Sequence, residues 1–262
     1  MMLLNNTIVD NTSFSEKKLE NGLSIYEVIR IFKGQPIFLK DNLLRLSNSI
    51  KKSNIQLDIQ NLHIEDKLNK VILLEHMEEG NLKYVLHFNG NHPDEYVYRI
   101  PHSYPGETDY ENGVPTVSYH AIRQNPEIKY INLQLREATN RLIAEKHVYE
   151  VVLIDDEGYV TEGSRSNLFF IKENRLYTAP TDYVLPGTCR KRVIDICNAN
   201  GFHLTEERVA YNSLRDYDAA FITGTSPLIL PISGIDDVHF NVNNPLLRNL
   251  MNIYFSLIKN VF

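Results

Sequence analysis

Three short glycine-bearing turns lie in the second half of this 262-residue chain, and each is built to present backbone N–H groups. Leu185-Pro186-Gly187-Thr188-Cys189-Arg190 runs from a loop straight into a predicted helix. A helix N-terminus carries unpaired donors and the positive end of the helix dipole, so it suits a phosphate. Thr223-Gly224-Thr225-Ser226 follows an apolar run, where a nest of amides can also hold an anion. Glu162-Gly163-Ser164-Arg165-Ser166-Asn167 joins two predicted strands. Any one of these, taken alone, reads as an ordinary turn. Earlier in the chain, Lys129 sits in the Pro-bearing loop from Arg123 to Asn132, just ahead of a predicted helix. A lysine there is ordinarily solvated. It attacks carbonyls only where an apolar or cationic setting lowers its pKa.

The elements that must position these residues are legible as alternating and helical periodicities. Ile25 to Phe32 reads as a strand, Lys33-Gly34-Gln35 as a hairpin turn, and Pro36 to Leu39 as the start of a return strand. Along that first strand Tyr26, Val28 and Arg30 share one face, and Ile25, Glu27 and Ile29 the other. Asp41 or Asn42 is placed to cap a helix bearing Leu43, Leu46 and Ile50 on one side. A longer helix is expected over Ile59 to Met77. Strands follow over Lys83 to Phe88 and Glu95 to Ile100. The stretch between Pro101 and Pro115 is rich in Pro, Gly, Glu and Asp and marks a domain boundary. Beyond it come a strand from Thr116 to Ile122 and a helix from about Leu133 to Glu145, with Leu135, Leu142 and Ile143 as core candidates. A meander of short strands runs from Val151 to Ala179. A helix from Gly187 to Ala199 ends at Asn200-Gly201, a buried strand spans Ala219 to Thr223, and a last helix spans Asn244 to Ile258. The expectation is an α+β protein of two domains, a small one over 1–114 and a larger one over 115–262.

Taken in order, these segments resemble the fold-type IV pyridoxal phosphate enzymes, or class IV aminotransferases. That family includes branched-chain aminotransferase, D-amino acid aminotransferase and 4-amino-4-deoxychorismate lyase. The resemblance runs through Ile25-Tyr-Glu-Val-Ile-Arg30, Asn42-Leu-Leu-Arg-Leu46 and Ile128-Lys-Tyr-Ile-Asn132. It is strongest in Val160 to Phe169, Leu185 to Arg190 and Phe221 to Thr225. It implies the D-amino acid aminotransferase-like fold, with pyridoxal 5′-phosphate held between the domains. It makes Lys129 the Schiff-base lysine, and Glu162 the carboxylate facing the pyridine nitrogen. Arg45 becomes the arginine on the phosphate. Asn167, Thr188, Cys189, Gly224 and Thr225 complete the cofactor contacts. Tyr26, Arg30, Asn89, Arg123 and Arg165 fall on the substrate side, and Asn132 near the site. Three departures stand out: Asn42 where relatives often have histidine, Cys189 where threonine is common, and Asn89 where several relatives carry a carboxylate-binding arginine. A neutral amide cannot replace a guanidinium fork, so either Arg30, Arg123 or Arg165 supplies the charge, or the substrate differs from the familiar ones.

Composition narrows the class. Twenty-seven basic against 33 acidic residues leave a net charge of −6, without the basic stripe of a nucleic-acid binder. Two cysteines, Cys189 and Cys197, make no disulfide framework and fit a reducing compartment. No apolar run reaches the roughly 18 residues of a membrane span, and the histidines lack tight metal-ligand spacing. A cytoplasmic, metal-free homodimeric transaminase, exchanging amino groups between an amino acid and a 2-keto acid, is the expectation. Aminodeoxychorismate lyase is the alternative activity, and a non-catalytic cofactor-binding descendant the alternative class.

Overall fold

In the computed structural model, residues 1–12, 14–90 and 92–259 are described. The chain divides into two compact units, Met1–Ser103 with Ile128–Leu133, and Tyr104–Glu127 with Gln134–Phe262. This differs from a single cut after residue 114. The segment carrying Lys129 belongs with the first unit, not the second.

The first unit is a six-stranded sheet with helices on one face. Its strands are β1 (Met2–Leu4), β2 (Thr7–Val9), β3 (Leu23–Phe32), β4 (Gln35–Pro36), β5 (Glu79–Phe88) and β6 (Asp94–Ile100), in the order β2-β1-β6-β5-β3-β4. The helices are α1 (Leu39–Lys52) and α2 (Ile64–Leu74). Every pairing between these strands is antiparallel, so alternate residues divide cleanly between two faces. Ile25, Ile29 and Ile31 of β3 pack with Leu46 and Ile50 of α1 and with Leu68, Val71 and Ile72 of α2. On the opposite face Tyr26 packs with Met2, Leu19, Val85 and Tyr98. Lys33 and Gly34 both have positive φ, 49° and 72°, the geometry of a two-residue type I′ turn between β3 and β4.

Three expectations need correction here. The return strand is only two residues long, because the chain turns at Phe38 (φ 55°) into α1. No side chain caps α1. Asn42 lies inside the helix with its amide turned to a buried carboxylate. The long helix expected from Ile59 is a short 3-10 turn, Ile59–Leu62, then α2; His63 in the left-handed region (φ 46°) separates them. The first residues, for which the sequence reading names no element, form the hairpin β1–β2; its turn is Asn5-Asn6, both at positive φ.

The second unit holds α3 (Glu107–Asn112), β7 (Val114–His120), α4 (Leu133–Lys146), β8 (Glu150–Ile154), β9 (Tyr159–Gly163), β10 (Asn167–Lys172), β11 (Arg175–Thr178), α5 (Thr188–Asn200), β12 (Leu204–Glu206), β13 (Val209–Ala210), β14 (Ala219–Gly224), β15 (Leu228–Ile235), β16 (Val238–His239) and α6 (Pro245–Lys259). Its ten-stranded sheet runs β12-β11-β10-β14-β15-β7-β8-β9-β13, with β16 on β15. A further pairing of β9 with β10, Glu162 opposite Asn167, closes six of these strands into a ring. Val152, Ile154, Leu168, Phe170, Ile222, Leu230 and Ile232 share its core. Within α4, Leu135, Leu142 and Ile143 are only half-buried, and Thr139 is the residue it buries; the expected core face is not fully covered.

Candidate active site

Lys129 is held by its backbone. Its carbonyl accepts from Tyr26 N at 3.0 Å, Ile131 N donates to Ser24 O at 2.9 Å, and Tyr130 bridges Ile25, so the segment rides on β3 as a short extra strand. Lys129 N also donates to Ser49 Oγ at 3.3 Å. The half-buried side chain places Nζ 4.8 Å from the centroid of the Tyr26 ring. An ammonium on an aromatic face sits in a weakly solvated setting, as a carbonyl-directed lysine requires.

The helix face of β3 carries a second group. Arg45 of α1 is buried and grips Glu27 with two parallel bonds, Nε to Oε1 at 2.9 Å and Nη2 to Oε2 at 2.6 Å. Asn42, one turn earlier, donates to the same carboxylate at 2.9 Å. The Asn42 amide therefore completes the seat of the arginine. Arg30 is half-buried on the Tyr26 face, opposite Asn81. Asn89 is exposed, past the end of β5.

In the second unit the candidates converge on the loop entering α5. Glu162 is 2% exposed; its carboxylate accepts from Leu185 N at 3.0 Å and from Arg123 Nη1 at 3.2 Å. Asn167 donates to Leu185 O at 2.9 Å, so the two facing residues of β9 and β10 fix one loop residue from both sides. Gly187 follows, and a Cβ there would stand 2.0 Å from Asn167 Oδ1. α5 then begins at Thr188 with no capping side chain and no acidic residue in its first turn. Thr188 and Cys189 are both buried there. Asn167 also pairs with Thr223, at the end of β14, which turns through Gly224 and Thr225. The Thr223 hydroxyl is buried and has no hydrogen-bond partner. A helix N-terminus without its own acid, a buried hydroxyl lacking an acceptor and a glycine turn form a donor set suited to a phosphate. Arg165 points elsewhere: it is exposed and bonds Asn140 of α4.

Two further positioning residues carry no signal in the sequence. Glu27 is the counter-ion of Arg45. Glu150, 3% exposed on β8, accepts from Ser164 Oγ at 2.7 Å, Ser166 Oγ at 2.9 Å and Arg165 N at 3.2 Å. It thereby shapes the turn between Glu162 and Asn167. A strand-start glutamate gives no local sign of that task. Among the described residues no group of three or more His, Cys, Asp or Glu is placed to hold a metal ion, and no helix is long and apolar enough to cross a membrane.

Residues 24–235, which span every group just described, match the family model "Amino-transferase class IV", and the chain belongs to that family. It is similar to a D-alanine aminotransferase of Bacillus licheniformis, 29% identical over 244 residues, covering 87% of this chain and 85% of that one. It is also similar to an aminodeoxychorismate lyase of Bacillus subtilis, 23% identical over 92% of this chain and 87% of that one. The fold matches that of the branched-chain amino acid aminotransferase from Escherichia coli, with a TM-score of 0.81 at 19% identity, covering 98% of this chain and 93% of the other. It also matches the PLP-bound form of a hypothetical aminotransferase from Mycobacterium tuberculosis, with a TM-score of 0.81 at 16% identity, covering 98% of each chain. Family membership makes the protein an enzyme of the aminotransferase and lyase group.

Proposed function

We propose that this protein is a pyridoxal phosphate-dependent aminotransferase that moves an amino group between an amino acid and a 2-keto acid. The observation that carries the reading is Lys129: its backbone is locked onto β3 while its Nζ reaches over the Tyr26 ring at 4.8 Å. When bound, pyridoxal phosphate supplies the aldehyde that takes up the amine and the ring that draws electrons from Cα. Lys129 would hold the aldehyde and, once released as an amine, move the proton at the substrate Cα. Glu162 would hold the proton on the pyridine nitrogen, with Arg123 fixing its orientation from the other oxygen. Arg45, seated on Glu27 through two of its five donors, would meet the phosphate with the guanidinium edge turned from that carboxylate. Thr188, Cys189, Gly224 and Thr225 would add amide and hydroxyl donors, and Asn167 would hold the α5 loop in register. The family resemblance supports reading these groups as contacts of one cofactor, in a homodimer.

The test begins with the visible absorption spectrum after pyridoxal phosphate is added, then borohydride reduction and peptide mapping. A band that reduction fixes onto Lys129 is expected. Lys129→Ala should abolish both the fixed label and transamination; full activity in that variant would sink the mechanism. The Bacillus subtilis similarity, which covers 92% of the chain, gives the lyase reading its weight. Pyruvate release from aminodeoxychorismate, assayed against amino acid plus keto acid, separates the two. Absence of any band with added cofactor would point instead to a non-catalytic descendant.

A further inference from the structure

The buried face of α1 makes polar contacts in two directions. Asn42, Arg45 and Ser49 follow one another at three and four residues, a single stripe of the helix, and all three are buried. Asn42 and Arg45 close on Glu27 of β3. Ser49, one turn further on, closes on Lys129: its hydroxyl oxygen accepts from the Lys129 amide at 3.3 Å. The carbonyl of the same lysine accepts from Tyr26 N at 3.0 Å, next to Glu27. A closed circuit results. It runs from Lys129 through Tyr26 and Glu27 of β3 to Arg45, along one turn of α1 to Ser49, and back to Lys129. Ile128 packs against the core to which Ile25, Leu46 and Ile50 contribute. Every member belongs to the first unit, so the span from Arg45 to Lys129 is set inside one compact body. Serine needs a reason at this place. Ser49 is 0% exposed in mid-helix, beside Leu46 and Ile50. Serine is a weaker helix former than alanine, and a buried hydroxyl demands a partner. Propensity and packing both favour alanine there; the bond to Lys129 is what the oxygen adds.

We infer that Ser49 is a positioning residue for cofactor capture: it holds the Lys129 peptide at a fixed span from Arg45, so that a phosphate gripped by Arg45 brings its aldehyde to the lysine amine. The inference rests on the roles proposed above for Lys129 and Arg45. In the capture step the neutral amine adds to the aldehyde carbon. A C=N bond forms, and the aldehyde oxygen leaves as water with the two amine protons. A molecule held at one end presents its other end at high effective concentration only where the second partner stays in place. Loosening the lysine therefore weakens capture of a cofactor already held by its phosphate. Pyridoxal, which has no phosphate, meets the lysine without that constraint and loses little.

The experiment titrates the full chain, Ser49→Ala and the control Ser47→Ala with pyridoxal phosphate and with pyridoxal. It follows the visible band and the borohydride label on Lys129. Ser47 is half-buried and two residues away, on the other side of α1, so the control makes the same gain in helix propensity away from the Lys129 bond. Ser49→Ala should take up pyridoxal phosphate at least about fivefold more weakly than the parent, and pyridoxal within about twofold of it. Ser47→Ala should match the parent with both ligands. Equal loss of the two ligands in Ser49→Ala, or no loss, would overturn the inference, since a general loosening of the fold moves both alike. Amide exchange at Lys129, read by NMR before any cofactor is added, separates the inference from the cofactor reading. It should quicken in Ser49→Ala, and an unchanged rate would overturn the tether whatever the band does. A parent without a band, whose Lys129 amide still quickens in Ser49→Ala, would sink the cofactor reading and the capture role with it, and leave the tether standing.

Discussion

Side chains that can be named from the chain alone are those in recurring local motifs: Lys129 ahead of a helix, Glu162 and Asn167 around a glycine turn, and Thr188 after Pro-Gly. Their partners are not legible, because each partner is remote in sequence. Glu27 is 18 residues from Arg45, and its burial at 1% is known only once β3 and α1 are packed. The pair makes a prediction at this scale. Its side chains are 7% and 1% exposed, so removing one partner strands a charge away from water. Glu27→Ala should lower the unfolding free energy by about 3–5 kcal/mol, measured by urea denaturation. Glu27→Ala combined with Arg45→Met should recover much of that loss, since no unpaired charge remains. A double variant as unstable as the single one would show that packing, not charge, governs the site. The same logic explains why Glu150 stays hidden in the sequence: a carboxylate that serves two hydroxyls and an amide of one turn announces itself only through those contacts.

Elements with clear periodicity or punctuation are legible nearly to their bounds, among them β3, α5 with Gly201 at its end (φ 69°), and α6. Those that are not depend on single backbone conformations. Asn5-Asn6 turns a run of four apolar residues into a hairpin, and His63 divides an apolar helical pattern that has no proline or glycine to mark the break. At Pro-Gly before α5 the local signal is right but its reason is incomplete. Gly187 has an ordinary φ of −63°, so backbone freedom does not demand glycine; space does. A methyl there meets Asn167 Oδ1 at 2.0 Å and Cγ at 3.2 Å, and Asn167 is held by its bond to Leu185 O. Gly187→Ala should therefore displace Asn167, shift the start of α5 and weaken retention of pyridoxal phosphate in equilibrium dialysis. Asn167→Ala removes the obstacle, so the two substitutions should couple by about 1 kcal/mol or more in a double-mutant cycle on stability. Strict additivity would mean that the close approach is relieved elsewhere.

For the molecule as a whole, each unit keeps weak acids buried in their un-ionised form, phenols in the first and a thiol in the second, and this sets an alkaline limit on stability. In the first unit, burial, together with the neighbouring carboxylates Glu95 and Glu16, pushes the phenols of Tyr84 and Tyr98 far above their ordinary value of 10. In the second, burial pushes the Cys197 thiol from 9 up to about 11. Raised values mean that the folded chain keeps protons the unfolded chain releases. The contribution is complete below the unfolded values, near 9 for the thiol and 10 for the phenols, and is lost as pH climbs toward the folded ones. Above pH 10, Tyr84 alone should steepen the loss by about 1.4 kcal/mol per pH unit. Two probes read the two units: tyrosinate absorbance for Tyr84 and Tyr98, and a thiol reagent for buried Cys189 and Cys197. Both signals should stay low in the native protein at pH 9 and rise with unfolding. Tyr84→Phe, which leaves Glu95 its bond from Lys67 at 2.6 Å, should flatten the alkaline fall of the urea midpoint. Tyrosinate that forms around pH 10 in a chain that remains folded, and that Tyr84→Phe or Tyr98→Phe diminishes, would contradict the burial of these phenols. Thiol exposure at a lower pH than tyrosinate formation would show that the second unit opens before the first.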